Sequence, residues 1–318
     1  MTRSIAVFGA LLWTLGAAAA DYPSRPVRLV VPYAAGGSTD TLARVIGARL
    51  TERIGQQVVI DNRTGGGTII GTAIVAQAVP DGYTLLMATP PFAVNPALHA
   101  KVPYEPTRDF AAVTNVAGST NLLVVHPSVP SQSVRELVAL LKSAPGKYNY
   151  GSSGVGGAGH LAMALFASMA GLDLVHVPYK GGAPAVADLV AGRLHLMMAN
   201  LTTAQPHIRA GRLRGLGVGT AKRTPLFPEL PTIAEAGVAG YEANNWNGVV
   251  VPRNTPRAVI ERLHREIVAA LNEPETAKRL LGLGLEPIGD TPAEFTHYLG
   301  SEAVKWGRLV RSAGIKPE

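Results

Sequence analysis

The sequence predicts an α/β protein built from two lobes. Three observations carry this expectation. Apolar, β-branched runs recur and end in glycine- or proline-rich turns. Most of these turns lead into residues with helical spacing, the pattern of a parallel sheet covered by helices. At 318 residues the chain is large for one hydrophobic core.

The pattern starts at residues 27–44, VRLVVPYAAGGSTDTLAR. Residues 27–31 form an apolar run suited to a buried strand. Residues 32–37 cannot continue it, because Pro32 and the pair Gly36-Gly37 break strand pairing. Ser38, Thr39 and Asp40 are N-cap residue types, and Leu42, Val45, Ile46 and Leu50 follow at helical spacing. Such a turn aims unpaired backbone N–H groups at one place, where the helix dipole adds about half a positive charge. That place binds an anion. The turn holds no Lys or Arg, so the anion it suits is small: a carboxylate gripped by amides and hydroxyls.

Further units follow in order. Residues 58–61 read as a second strand, the glycines at 65–67 as a turn, and residues 68–78 as a helix. Residues 83–88 read as a third strand, ended by Thr89-Pro90-Pro91, and residues 96–108 as a proline-punctuated connector. Residues 121–126 (NLLVVH) suit another buried strand. Ser133 and Glu136 have the spacing of a capping box, which opens a helix to about Lys142.

The opening device then recurs. Residues 148–150 are a short strand, 151–157 (GSSGVGG) the turn, and 158–170 a helix with Leu161, Leu165 and Met169 on one face. Strand and helix alternate through residues 174–218, a connector with one short helix at 232–236 follows, and residues 246–251 are strand-like. Thr255-Pro256 and Thr291-Pro292 each start a C-terminal amphipathic helix. Each half thus carries a glycine-and-hydroxyl turn at the carboxyl end of a strand, where ligands sit in open parallel sheets.

Composition narrows the function. Hydrophobic residues make up 47% and charged residues 16%, as in a globular protein. The net charge of +7 is spread along the chain without a basic run, so no nucleic-acid partner is expected. The absence of cysteine excludes disulfides, thiol catalysis and Cys-ligated zinc. Residues 1–20 have a positive Arg3, an apolar core at 5–15 and Ala18-Ala19-Ala20 before a cleavage point, the layout of a secretory signal peptide.

Two enzymatic readings compete. Gly154–Gly159 fits G-x-G-x-x-G, but the acidic residue that a dinucleotide site needs is absent from the end of the next strand, His176-Val177-Pro178. Ser152, Ser153 and His160 suggest an exported serine hydrolase, yet Val155 stands where the nucleophile elbow G-x-S-x-G needs glycine. One turn into its helix, His160 suits capping or packing, because the dipole disfavours its protonation. No metal-ligand or cofactor motif stands out, and Lys180 beside Gly181-Gly182 is either an anion-steering group or a solvated lysine.

At these residues the chain resembles the periplasmic substrate-binding proteins of tripartite tricarboxylate transporters, the Bug family. The strings that carry the resemblance include YPSRPVRLVVPYAAGGSTDTLAR, PDGYTLLMAT, NYGSSGVGGAGHLAM, VHVPYKGGAPAVADLVAGRL and WGRLVRSAGIKPE, and they span nearly all of the mature chain. The resemblance implies a type II periplasmic binding-protein fold. Lobe 1 would hold residues 21–118, completed by 248–318, and lobe 2 residues 119–247. The crossings would lie near 116–121 and 245–249. A small carboxylate would sit between Tyr33, Gly36, Gly37, Ser38, Thr39 and Asp40 of one loop and Ser152, Ser153, Gly154, Gly156, Gly157 and Ala158 of the other. Thr89, Asn200 and Trp246 would complete the pocket. A monomer delivering its ligand to a membrane permease of that transporter type, with no cofactor and no catalysis, is expected; a ligand sensor for a two-component system is the alternative partner. Three departures from the family pattern are Ala35 before Gly36-Gly37, Thr64 after Asn62-Arg63, and Ala199 before Asn200. The first two loosen a turn slightly. The third removes an acidic group, which disfavours a ligand with a cationic amine.

Overall fold

The computed structural model describes residues 22–179, 181–312 and 314–315; the expected signal peptide and Lys180 lie outside them. The chain opens with β1 (Val27–Val31), α1 (Ser38–Ile54), β2 (Val58–Asn62), α2 (Ile69–Ala76), β3 (Thr84–Ala88), α3 (Pro90–Leu98), α4 (Pro106–Asp109) and β4 (Phe110–Ser119). It continues through β5 (Asn121–Val125), α5 (Val134–Ser143), β6 (Asn149–Ser152), α6 (Ala158–Ala170), β7 (Val175–Pro178), α7 (Gly182–Val190), β8 (Leu196–Asn200), α8 (Leu201–Arg209) and β9 (Arg214–Val218). It closes with β10 (Asn245–Pro252), α9 (Arg257–Leu271), α10 (Pro274–Gly282), β11 (Leu285–Pro287) and α11 (Pro292–Ser312).

These strands form two sheets. One has six strands in the order β11-β4-β10-β3-β1-β2, the other five in the order β7-β6-β8-β5-β9. Both are covered on both faces, which is why their central strands read as unbroken apolar runs. In β3, Leu85 and Met87 join one core while Leu86 and Ala88 join the other. In β5, Leu123 and Val125 face one core and Leu122 and Val124 the opposite one.

Strand direction places the site. β1, β2 and β3 are parallel, and β10 runs antiparallel to both β3 and β4. β4 therefore ends on the same edge as the carboxyl ends of β1 and β3. Thr120 alone separates β4 from β5, and Asn121 pairs with Asn200 at the carboxyl end of β8. The return strand starts at the same level, with Asn245 opposite Ser119. Both crossings thus join the carboxyl edges of the two sheets.

Several elements differ from expectation. The connector at 96–108 is preceded by helix α3, which includes Pro96. Prolines at its start lack an N–H that the first turn would leave unpaired anyway, and buried Phe92, Ala93, Val94 and Leu98 hold the helix by packing. The helix expected at 232–236 is a single turn, capped by Thr232 and Glu235 on each other's backbone and stopped by Gly237 at φ +119°. α10 and β11 had no clear signal, because β11 is only three residues long. Helix α11 packs into cores of both sheets. Phe295 and Leu299 of α11 enter a core of the first sheet, whereas Trp306, Leu309 and Val310 enter the core of the second sheet with Leu161 and Phe166.

Candidate functional site

Four strand-to-helix junctions meet at these carboxyl edges: β1 to α1, β3 to α3, β6 to α6 and β8 to α8. Every expected site residue except Trp246 lies in one of these turns or at the strand end or helix start beside it.

In the first loop, Gly37 is the N-cap of α1, in place of the expected Ser38, Thr39 or Asp40, and no side chain hydrogen-bonds there as a cap. The first amides of α1 remain without intrahelical partners. Gly36 takes φ +87°, a conformation that glycine adopts without penalty. Its N–H donates to Asp40 Oδ2 at 2.8 Å. Asp40 is nearly fully buried and also receives Arg44 Nε at 2.9 Å and Asn62 Nδ2 at 3.0 Å. Burial raises its pKa, but the hydrogen bonds from Arg44, Gly36 and Asn62, with the Arg44 charge, outweigh burial and hold the carboxyl below the ordinary range. Asp40 therefore braces the loop from beneath. Thr39 is also buried, its hydroxyl donating to Asn247 Oδ1 on β10 at 3.0 Å. Tyr33 Oη and Thr89 Oγ1 are 2.9 Å apart, which ties this loop to the β3–α3 junction. Gly36, Gly37 and Ser38 keep solvent access.

The second loop repeats the plan. Gly157 is the N-cap of α6, again without a side-chain cap. Gly156, at φ +74°, donates its N–H to His160 Nδ1 at 3.1 Å. Burial, reinforced by His176, lowers the His160 pKa to about 3, so the ring is neutral and its remaining proton sits on Nε2. Gly159 lets α6 approach β8: a Cβ there would lie 2.6 Å from the Met198 carbonyl oxygen. Ser152 lies on β6 and not in the turn, fully buried, with Oγ 2.6 Å from His176 Nε2. Ser153, Gly154, Gly157 and Ala158 remain at least partly open.

The remaining two expected residues are occupied by the fold. Asn200 caps α8, accepting from Thr202 N at 3.0 Å, and its Nδ2 donates to Ser119 Oγ at 2.8 Å across the crossing. Trp246 is buried and its Nε1 donates to Glu302 Oε2 at 3.0 Å. Sequence reasoning did not include the braces Arg44 and Asn62, the crossing-strand partner Asn247, or His176. The i,i+4 spacing of Asp40 and Arg44 was a readable signal for the first; the others needed strand register.

Two α/β sheets joined by paired crossings, with uncapped helix N-termini on the facing edges, define a two-lobed binding protein. The chain belongs to the tripartite tricarboxylate transporter family receptors, the group that includes the Bug proteins: residues 42–315 match that family. It is similar to BugT of Bordetella pertussis, 36% identical with 99% of each chain covered. Among solved structures it resembles Rpa4515 of R. palustris with adipate, at 41% identity and TM-score 0.85, covering 94% of this chain and 100% of that one. It also resembles MatC from Rhodopseudomonas palustris with bound malate, at 30% identity and TM-score 0.81, covering 91% and 100%. The protein is thus a periplasmic solute receptor of a tripartite transporter system.

Proposed function

We propose that this receptor captures a small dicarboxylate between its two glycine loops, closes on it, and presents the closed form to the transporter's membrane permease. Lobe 1 comprises residues 21–118 and 248–318, lobe 2 residues 119–247, and the first twenty residues are removed on export. One ligand carboxylate sits at the N-terminus of α1 against Gly37, Ser38 and Thr39. The α6 N-terminus, with Ser153, Gly154 and Ala158, supplies the opposing grip. The observation that carries this reading is the matched pair of uncapped helix N-termini. The adipate and malate bound to the two similar structures are dicarboxylates, which supports the ligand class.

Magnitudes require both loops. Micromolar binding needs about 8 kcal/mol net. Two charge-assisted hydrogen bonds and one helix N-terminus give about 3–8 kcal/mol gross. Association costs at least about 4 kcal/mol. One lobe alone therefore binds weakly, and the ligand must favour a closed form.

No catalytic step is assigned. The buried Ser152 is paired with the half-buried His176, but among the described residues no carboxylate hydrogen-bonds His176, and the Ser152 side chain is sealed from solvent. A thermal-shift screen of malate, adipate and citrate tests the function. Stabilisation by at least one dicarboxylate is expected; stabilisation by none of them, with binding of neutral amides instead, would overturn the ligand class.

A further inference from the structure

We propose that lobe 2 carries a second small-molecule site behind its glycine loop, suited to an uncharged planar molecule with an oxygen acceptor. An open cavity of about 490 Å³ lies between α6, β7, Ser312 at the end of α11 and Ile315. That volume falls in the range of pockets that hold small ligands, about 300–1,000 Å³. Val155 of the second glycine turn lines it, but none of Gly36, Gly37, Ser38, Thr89 or Ser153 does, so it lies behind that turn and not between the two glycine loops.

Its polar wall is a stack of three rings. His160 and His176 have centroids 4.0 Å apart and planes 8° apart, and Tyr150 lies 4.8 Å from His176 at 21°. Ala164, Leu174 and Ile315 supply apolar surface. Tyr150 and His160 are each 5% exposed. Among the described residues, neither Tyr150 Oη nor His160 Nε2 has a hydrogen-bond partner, and neither is one of the completely sealed polar atoms. With His160 Nδ1 accepting from Gly156, its Nε2 must carry the proton and act as a donor. Both donors keep some solvent access and no protein partner among the described residues, so a ligand oxygen can take the place of the water that meets them.

Among the described residues, the cavity offers no cationic partner to the carboxylates proposed for the front loops. Its described lining holds no Lys or Arg, and its one charged side chain is Asp173. Burial keeps both histidines neutral, lowering them to about 3 and about 4. A phenol or a small aromatic amide fits: a flat ring for the wall, one oxygen for the donors, no charge. His160 connects the two sides of α6's first turn, because the ring that lines the cavity also holds the Gly156 amide. Occupancy of the cavity is therefore linked to the state of the loop, and linkage of this kind is reciprocal.

The test uses the purified full chain and phenol as probe, titrated by saturation-transfer and ¹⁵N-resolved NMR. Saturable binding with a shift of the Gly156 amide is expected. Binding should survive Gly37→Asp, which blocks the proposed carboxylate site, and so fails independently of it. Ala164→Phe, which fills the cavity, should weaken phenol by at least about tenfold, or about 1.4 kcal/mol. Ala167→Leu is a second filler should the first not fold. Absence of saturable binding, unchanged affinity in a folded filler, loss of binding in Gly37→Asp, or an unmoved Gly156 amide would each overturn the proposal.

Discussion

Asp40 and His160 stand at the same position in two different lobes. Each is the third residue of its helix, each follows a left-handed glycine by four residues, and each accepts that glycine's N–H, at 2.8 Å from Gly36 and 3.1 Å from Gly156. One brace is an ionised carboxylate balanced by Arg44; the other is a neutral imidazole. Both settle one loop amide internally and leave the amides at the helix start for a ligand.

The charge at the first loop is the most direct handle on binding. Gly37 lies at φ −76°, and a Cβ there would meet only the Ala34 carbonyl oxygen at 3.7 Å. Gly37→Asp therefore fits the fold, and Asp is a favourable N-cap residue. Its carboxylate would occupy the ligand's place and repel it. Unliganded thermal stability should hold or rise, while stabilisation by dicarboxylate disappears in the same melting assay.

The brace at Asp40 makes a prediction about acid. Its folded pKa is held below the ordinary carboxylate value of 3.8, so its contribution is complete above that value and fades as pH falls through the folded pKa. Asp40→Asn should melt lower than the parent at pH 7, and the gap should narrow below about pH 3.8. Carboxylate affinity should drop as well, since Gly36 loses its charged acceptor. Isothermal titration at pH 7 checks the second part.

His160 has the opposite chemistry but the same direction of pH dependence. Its folded pKa of about 3 lies below the ordinary histidine value of 6.5, so between those values the unfolded chain binds more protons. Stability is complete above pH 6.5 and falls as the solution is acidified. His160→Asn keeps an acceptor for Gly156 and removes the titration. Its denaturation free energy, followed from pH 6.5 to 4, should lose up to about 1.4 kcal/mol per pH unit of slope.

These two braces also show what the sequence makes legible. The strand, glycine turn and helix start at 27–40 are readable because proline, paired glycines and helical spacing act within a dozen residues. His160 was readable as a capping or packing group for the same local reason. Ser152 was not readable as buried: its partner His176 lies on the neighbouring strand β7, and only the pairing of β6 with β7 brings the two together. Asn247, Asn200 and Ser119 depend on the crossing registers. The straddling role of α11 was equally hidden, because an amphipathic helix does not say which core its apolar face enters.

The two serines of the second loop should separate for that reason. Ser153 is exposed and free to meet a ligand, whereas Ser152 is committed to His176. Ser153→Ala should weaken carboxylate binding without changing the melting temperature. Ser152→Ala leaves the nitrogen of a half-buried imidazole unpaired, at a cost of up to about 1–3 kcal/mol. In a chain of this size that corresponds to a fall of several degrees, about 2–4 °C per kcal/mol.

Glu302 ties the crossing strand to the second lobe's core. Its buried Oε2 accepts Trp246 Nε1 at 3.0 Å and Trp306 Nε1 at 2.7 Å, while Lys305 stands 3.5 Å from Oε1. Trp246 belongs to a core of the first sheet and Trp306 to a core of the second. Glu302→Ala would strand two buried indole N–H groups, so a loss of about 2–6 kcal/mol is expected. Glu302→Gln keeps an oxygen acceptor but places an amide N–H₂ beside the indole donors, and should cost less. Urea denaturation of the two variants checks the order; equal loss would mean that the carboxylate charge, and not the loss of an acceptor, governs the contact.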